Sequence, residues 1–262
     1  MVRILLFSDI HANLGALEAV LEDADQQGPF DLRLNLGDTV GYGPKPNECI
    51  ELVKSFISLR GNHDYSIEDN ILAPNTNPEL AIKIHRRLIT PEHKSWLASL
   101  PFVYTDREHR FAAAHASFED DDQKNYYRRY ILCEQDAEVS LNCLESLGVR
   151  IGFYGHTHVP ALARKTQSGD ILFRQYDPGH SANPKTETFD DFVCNDNVIL
   201  INPGSVGQSR NQSPSAHYAI VEIDTKTRVI LKTVAYDIAQ TQHEMRELGM
   251  PPRLIERLKE GT

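Results

Sequence analysis

Cysteine is sparse in this chain. Four residues, Cys49, Cys133, Cys143 and Cys194, are scattered through 262 positions without a C-x-x-C pair. That spacing excludes a disulfide framework and a thiolate zinc site, and it predicts a reducing, cytosolic setting. Long apolar runs are also missing: no stretch of about 18 apolar residues occurs, so no membrane span and no membrane partner are expected. The opening "MVRILLFSD" reaches Asp9 too early for a secretory leader and lacks a small-residue cleavage site, so it reads as a first strand. Basic charge is in deficit, with 27 Lys and Arg against 37 Asp and Glu, for a formal net charge of -10. A surface of that sign does not hold duplex nucleic acid by its phosphates. It leaves room for a small anionic substrate, because bound divalent cations reverse the local sign. Internal repeats and low-complexity tracts are absent.

What remains is an α/β pattern. "RILLF" is followed by "ANLGALEAVLEDADQQG", whose apolar residues at 14, 17, 20, 21 and 24 have helical spacing and stop before Gly28. "DLRLNLG" reads as a strand, "PNECIELVKS" as a helix and "FISLRG" as the next strand. This alternation predicts a parallel sheet covered on both faces. Residues 66–99 read as a helical insert, a candidate cap, and are followed by strand-like "RFAAAHA", helical "CEQDAEVSLNCLESLG" and strand-like "VRIGFYG". Beyond residue 160 the texture turns to hairpins. "ALARKTQSGDILFRQY" turns at Ser168-Gly169-Asp170, and "VILINPG", "HYAIVEID" and "RVILKTVAY" predict a mainly antiparallel sheet. Residues 177–197 read as a polar surface loop, and 238–262 as a helical tail broken at Pro251-Pro252.

Histidine is scarce, at 11 residues, yet five fall just after apolar runs. The runs end in Asp9 and His11, in Asp38, in Asn62, His63 and Asp64, in His115, and in His156 and His158. Taken singly, each has a plain structural explanation. Asp9 can cap a helix, "GD" can mark a turn, and His115 can be a hydrogen-bonded core histidine. Ligands in open α/β sheets bind just outside the carboxyl ends of the strands. Five such ends converging on Asp, Asn and His are what a metal centre needs, and imidazole with carboxylate suits manganese, iron or zinc.

Asp9-x-His11, Gly37-Asp38, Gly61-Asn62-His63-Asp64, His115 and Gly155-His156-Thr157-His158 together resemble the signature of the calcineurin-like metallophosphoesterases. "GDTVGYGPKPNECI" and "INPGSVGQSR" resemble its bacterial and archaeal single-domain phosphodiesterase branch. The resemblance implies one domain over 1–262 with a four-layer α/β/β/α sandwich of two mixed sheets. It implies two divalent ions, manganese foremost, with iron, zinc or nickel as alternatives. Asp9, His11 and His158 would hold one ion, Asn62, His115 and His156 the other, and Asp38 would bridge them. It further implies hydroxide attack on phosphorus, with His63 as general acid and Asp64 fixing its ring.

Some features depart from relatives of that family. Gly41 and Tyr42 stand where protein phosphatases of the pattern G-D-x-V-D-R carry aspartate and a phosphate-gripping arginine, and Asp64 replaces their glutamate. The purple acid phosphatase branch needs a tyrosine at position 41, and a metallo-β-lactamase reading needs Asp and His at 160 and 161, which are Pro160 and Ala161. Candidates to replace the missing arginine are Arg60 and Arg210, with the loop 202–207 bordering the site. The acidic run 119–122 reads as a solvated loop, and Trp96 as core packing. The expected function is hydrolysis of a small phosphodiester, phosphomonoester or nucleotide. Dinucleoside polyphosphates are the alternative substrate, phosphoproteins a more distant one, and a catalytically silent metal-binding scaffold the competing class. A homo-oligomer is compatible with all of these.

Overall fold

The computed structural model describes residues 1–69, 72–119, 127, 129–176, 186–189 and 197–262. The first strands and helices are β1 (Val2–Phe7), α1 (Leu14–Gln26), β2 (Leu32–Asn35), α2 (Pro46–Val53) and β3 (Ile57–Ser58). Then come α3 (Asn62–Tyr65), α4 (Asn77–Leu88), α5 (Pro91–Ser99), β4 (Val103–Asp106) and β5 (Phe111–Ala114). They lead to α6 (Glu134–Ser146), β6 (Ile151–Phe153), β7 (Ala161–Lys165), β8 (Ile171–Gln175) and β9 (Thr186–Phe189). The remainder is β10 (Val198–Asn202), β11 (Ala216–Ile223), β12 (Thr227–Val234), α7 (Ile238–Glu247) and α8 (Pro252–Glu260).

Two six-stranded mixed sheets form, in the orders β3-β2-β1-β11-β12-β9 and β4-β5-β6-β10-β7-β8. In the first, β1, β2 and β3 run parallel, and β11 joins β1 antiparallel with Val2 opposite Ile223 and Leu6 opposite Ala219. In the second, β5, β6 and β10 run parallel and β7 closes antiparallel on β10. Strand alternation assigns the two faces. Ile4 and Leu6 point between the sheets, against Phe153, Leu162 and Ile201, while Leu5 and Phe7 face Leu17 and Val20 of α1. On the far side, Leu141 and Leu144 of α6 cover Ala112 and Leu200. Both faces of the central strands are therefore dry, which is why they read as continuous apolar runs. Each such fully buried side chain contributes roughly 1.5–3 kcal/mol. The result is the four-layer α/β/β/α sandwich.

Two expectations change. The turn in texture at residue 160 does not separate a parallel sheet from an antiparallel one. β10 enters the second sheet beside β6, while β11 and β12 enter the first, so each sheet mixes both halves of the chain. Composition reports local pairing and is blind to which sheet a strand joins. Within 177–197, residues 186–189 are not loop but an edge strand paired with β12; 177–185 and 190–196 lie outside the described residues. The strand β4, edge partner of β5, had no apolar run to announce it, since its four residues are "VYTD" and none is fully buried. No helix among the described residues is long and apolar enough to cross a membrane.

Candidate metal centre

The carboxyl ends of β1, β2, β3, β5 and β6 open onto one place between the sheets. Their loops are zipped together by backbone bonds, Asp9 N–H to Gly37 O at 3.0 Å, His11 N–H to Asp38 O at 2.9 Å and Gly155 N–H to His115 O at 2.9 Å. Five of the seven predicted ligands, Asp9, His11, Asp38, His156 and His158, have left-handed backbone, with φ between 50° and 65°. This conformation is strained for residues other than glycine, and such strain gathers at functional sites. Gly155 lets the strands meet, since a Cβ there would lie 1.9 Å from Ser8 Oγ and 2.8 Å from Asp9 Oδ2.

Hydrogen bonds fix the imidazole tautomers. His11 Nδ1 faces the Val40 carbonyl at 3.2 Å, His158 Nδ1 faces the Gln208 carbonyl at 2.6 Å and His115 Nδ1 faces the Leu36 carbonyl at 3.0 Å. A carbonyl only accepts, so each Nδ1 carries a proton, and where the ring is neutral its Nε2 presents a lone pair. Those lone pairs converge. His11 Nε2 and His158 Nε2 stand 3.1 Å apart, with Asp9 Oδ1 at 3.3 Å from the latter. Burial, more than any neighbouring charge, holds both rings well below the ordinary histidine range, so they are neutral. Two lone pairs and a carboxylate oxygen facing one another repel unless a cation lies among them.

The second cluster joins Asp38, His115 and His156. Asp38 Oδ1 accepts the His63 N–H at 2.8 Å, leaving Oδ2 at 3.4 Å from His115 Nε2 and 3.7 Å from His11 Nε2. Its position between the two clusters is that of a bridging carboxylate. Burial pulls His115 down, but the Asp38 carboxylate more than offsets it and raises the ring to about 9, while burial pushes Asp9 up to about 6. Asp9 Oδ1, Asn62 Oδ1 and His115 Nε2 are buried without a hydrogen-bond partner. Orphaned buried polar atoms on this scale are rare in folded proteins, and the set of imidazole, carboxylate and amide oxygen fits hard or borderline divalent cations.

His63 belongs to the same group, within ligand distance of His11 and Asp38. Its ring is held edge-on to His11 at 4.8 Å and to Tyr42 at 4.5 Å. A Cβ at Gly41 (φ +98) would come 2.3 Å from His63 Nδ1, so that nitrogen lies against the loop backbone. The expected role of Asp64 is corrected. Its two oxygens accept the Val40 and Gly61 N–H groups at 3.1 and 3.0 Å, and none reaches His63 Nδ1, which has no partner. Both residues sit on α3, where neighbours in sequence point in different directions. Asp64 therefore clamps loops, and burial followed by Asp38 pushes it up to about 7.

The two arginine candidates part company. Arg60 is buried, ion-paired with Glu68, and stacked on Tyr65 at 4.7 Å, so its guanidinium is spent on the fold. Arg210 instead reaches the Tyr42 hydroxyl at 3.4 Å and sits directly beside His158, its N–H on the His158 carbonyl at 3.2 Å. The loop 202–207 does border the site: Ser205 Oγ and the Gly207 N–H both bond Asp9 O at 2.9 Å. Of the acidic run, Glu119 is buried against Arg129, and 120–122 lie outside the described residues. Trp96 packs into the core.

Three rim residues had not been singled out for chemistry. The Tyr42 ring covers His11 at 4.3 Å, and Tyr130, 42% exposed, stacks on His156 at 4.1 Å. His85 of α4 accepts the Gly41 N–H on Nδ1 at 3.0 Å and donates from Nε2 to Gly43 O at 2.8 Å, pinning the loop that carries Tyr42. The only trace in the sequence was the pair of glycines flanking Tyr42, since close backbone approach demands them.

The sequence profile of the calcineurin-like phosphoesterases matches residues 2–160. An uncharacterized protein of Methanocaldococcus jannaschii is 31% identical over 263 residues, covering 97% of this chain and 96% of that one. Among solved structures, a metallophosphoesterase from Sphaerobacter thermophilus is 36% identical with a TM-score of 0.81, covering 100% and 99% of the two chains. A hypothetical protein of Pyrococcus horikoshii shares the fold at 19% identity, TM-score 0.74, with the same coverage. This chain belongs to the calcineurin-like phosphoesterases.

Proposed function

We propose that this calcineurin-like phosphoesterase hydrolyses a small phosphodiester at a centre of two divalent cations, manganese foremost, with iron, zinc or nickel as alternatives. The observation that carries the reading is the meeting of two imidazole lone pairs, His11 Nε2 and His158 Nε2, at 3.1 Å beside unpartnered Asp9 Oδ1. Asp9, His11 and His158 would hold one ion, Asn62, His115 and His156 the other, and Asp38 both. When bound, the cations supply the charge that polarises phosphoryl oxygens and lowers the pKa of the attacking water.

The chain's own groups do the rest. Arg210 orients the anionic ester from beside His158. His63 delivers the proton. Burial holds its imidazole at about 4, so the ring takes up a proton only once an anionic ester sits beside it and favours the charged form. With Nδ1 against the Gly41 backbone, Nε2 is the nitrogen that hands the proton to the departing oxygen as the P–O bond breaks. Water oxygen ends on phosphorus and the alcohol leaves neutral. Asp64 and His85 keep the His63 and Tyr42 loops in register. Cys49 and Cys133, neither of them in a disulfide, support a reducing compartment.

Turnover of bis(p-nitrophenyl) phosphate with Mn²⁺ supplied tests the reading, with His63→Ala as the variant. Metal content should persist while turnover falls by about 10²- to 10⁴-fold. Unchanged turnover removes His63 from the reaction, and an inactive wild type favours the silent scaffold.

A further inference from the structure

The wall beyond Tyr42 is built by parts of the chain that bear none of the metal ligands. Leu254, Ile255 and Leu258 of α8 pack in one cluster with Tyr42, and the end of α8 is pinned to the loop carrying Arg210. Gln212 N–H bonds Gly261 O at 2.8 Å, and a Cβ at Gly261 would come 2.5 Å from Ser213 N. One turn before Gly261 stands Arg257, near enough to Arg210 for the two charges to interact. Burial foremost, then the Arg210 charge, lowers the Arg257 pKa, and both charges act on Tyr42 and His158.

Two arginines side by side repel. Neither has a carboxylate side chain within ion-pair distance among the described residues. Arg210 makes only long contacts, to the Tyr42 hydroxyl at 3.4 Å and to Gln208 Oε1 at 3.5 Å. The surplus of donors extends into the buried part of the wall. Arg210 Nε and Gln208 Nε2 are buried with no acceptor, Gln208 being 1% exposed. Unmet buried donors are costly to a fold. Repelling cations beside unmet donors are a site waiting for acceptor oxygens.

We propose that Arg210 and Arg257, with Gln208, form a second anion subsite beside the metal centre, which selects phosphate esters bearing a further phosphoryl group. The inference rests on the phosphoesterase reading for its substrate and deepens it. The Arg210 guanidinium lies at the hydroxyl end of Tyr42, and the ring of Tyr42 separates it from His11 and His63. The subsite is thus one group removed from the scissile phosphorus. A simple diester with no further phosphoryl group would leave its outer half unfilled, and a pyrophosphate-like or doubly phosphorylated compound would fill both halves. The competing explanation is that Arg257 merely finishes its helix, where its Nε meets the Thr262 carbonyl and a cation favours the helix dipole.

Calorimetric titration separates the two. The Mn²⁺-loaded protein, with free Mn²⁺ kept in excess, is titrated with methylenediphosphonate and with methylphosphonate, neither of which it can hydrolyse at a P–O–P bridge. In Arg257→Gln the preference for the diphosphonate over the monophosphonate should fall about 10-fold, the scale of one charge-assisted contact. Arg257→Lys should recover part of it. A preference unchanged within about twofold, or an equal loss for both ligands with a lowered melting temperature, overturns the subsite. Binding is read without turnover, so an inactive wild type would sink the hydrolase reading while leaving this result to stand by itself.

Discussion

The two sheets bring different chemistry to the same seam. The first delivers Asp9, Asp38 and Asn62 with His11 and the proposed proton donor His63, so it carries the negative charge of the ligand set. The second delivers only imidazoles, His115, His156 and His158. Two of the three ligand clusters draw on both sheets, Asp9 and His11 with His158, and Asp38 with His115 and His156; only His11, Asp38 and His63 come from the first sheet alone. Those two mixed clusters form where the sheets pack face to face through Ile4, Leu6, Phe153 and Ile201. Metal binding and sheet packing are linked, so ions that bind only the folded chain stabilise it.

The asymmetry predicts unequal losses on the two sides. Asp38→Ala, on the carboxylate side, should release both ions and lower turnover on the order of 10⁴-fold, since several kcal/mol of charge stabilisation disappear. His156→Ala, on the imidazole side, should release one ion and leave the Asp9–His11–His158 cluster loaded. Elemental analysis of the purified variants distinguishes them, and equal metal loss would erase the asymmetry. A smaller effect separates the two arginines. Arg210→Gln should raise KM about 10-fold with metal content intact, because its guanidinium flanks the site at the hydroxyl end of Tyr42. Arg60→Gln should leave KM alone and lower stability by about 1 kcal/mol, since it removes the buried end of an ion pair with half-exposed Glu68 and the stacking on Tyr65.

A last contrast sets two buried histidines against each other. His115 ends its strand with Nε2 unpartnered, whereas His217 lies within β11 with Ser209 Oγ at 3.2 Å and Thr233 Oγ1 at 3.3 Å from its ring nitrogens. Burial lowers His217 to about 4. Its folded pKa lies below the unfolded value, so the unfolded chain binds the extra proton first. The stability it contributes is whole above about pH 6.5 and is lost as pH falls toward 4. Urea unfolding of metal-free protein at pH 7 and 4.5 should show His217→Gln losing less stability over that interval than wild type. The difference should be on the order of 2 kcal/mol, and identical losses would mean that His217 is already charged in the fold.

The strand-end residues were legible because a buried parallel strand leaves an unmistakable apolar run, and the side chains just past its last residue must lie at the carboxyl edge. The partition of strands between the sheets was not legible from texture, since β10 and β11 look alike until their partners are known. Arg60 and Arg210 could not be ranked either: what decides between them is Glu68 and Tyr65 on one side and Tyr42 on the other, contacts made only in three dimensions. Asp64 misled for a local reason, because its carboxylate turns back to two backbone N–H groups rather than forward to its neighbour. Tyr130 and His85 reach the rim from distant segments, and no spacing rule ties them to the ligands.

The central claim is that seven side chains from two sheets hold a pair of cations with Asp38 between them. Anomalous scattering from crystals grown with Mn²⁺, paired with elemental analysis of the same protein, tests it most directly. The account predicts two ions per chain, one beside Asp9, His11 and His158 and one beside Asn62, His115 and His156, both touching Asp38. A single ion, or none, with Asp38 contacting fewer than two would contradict it.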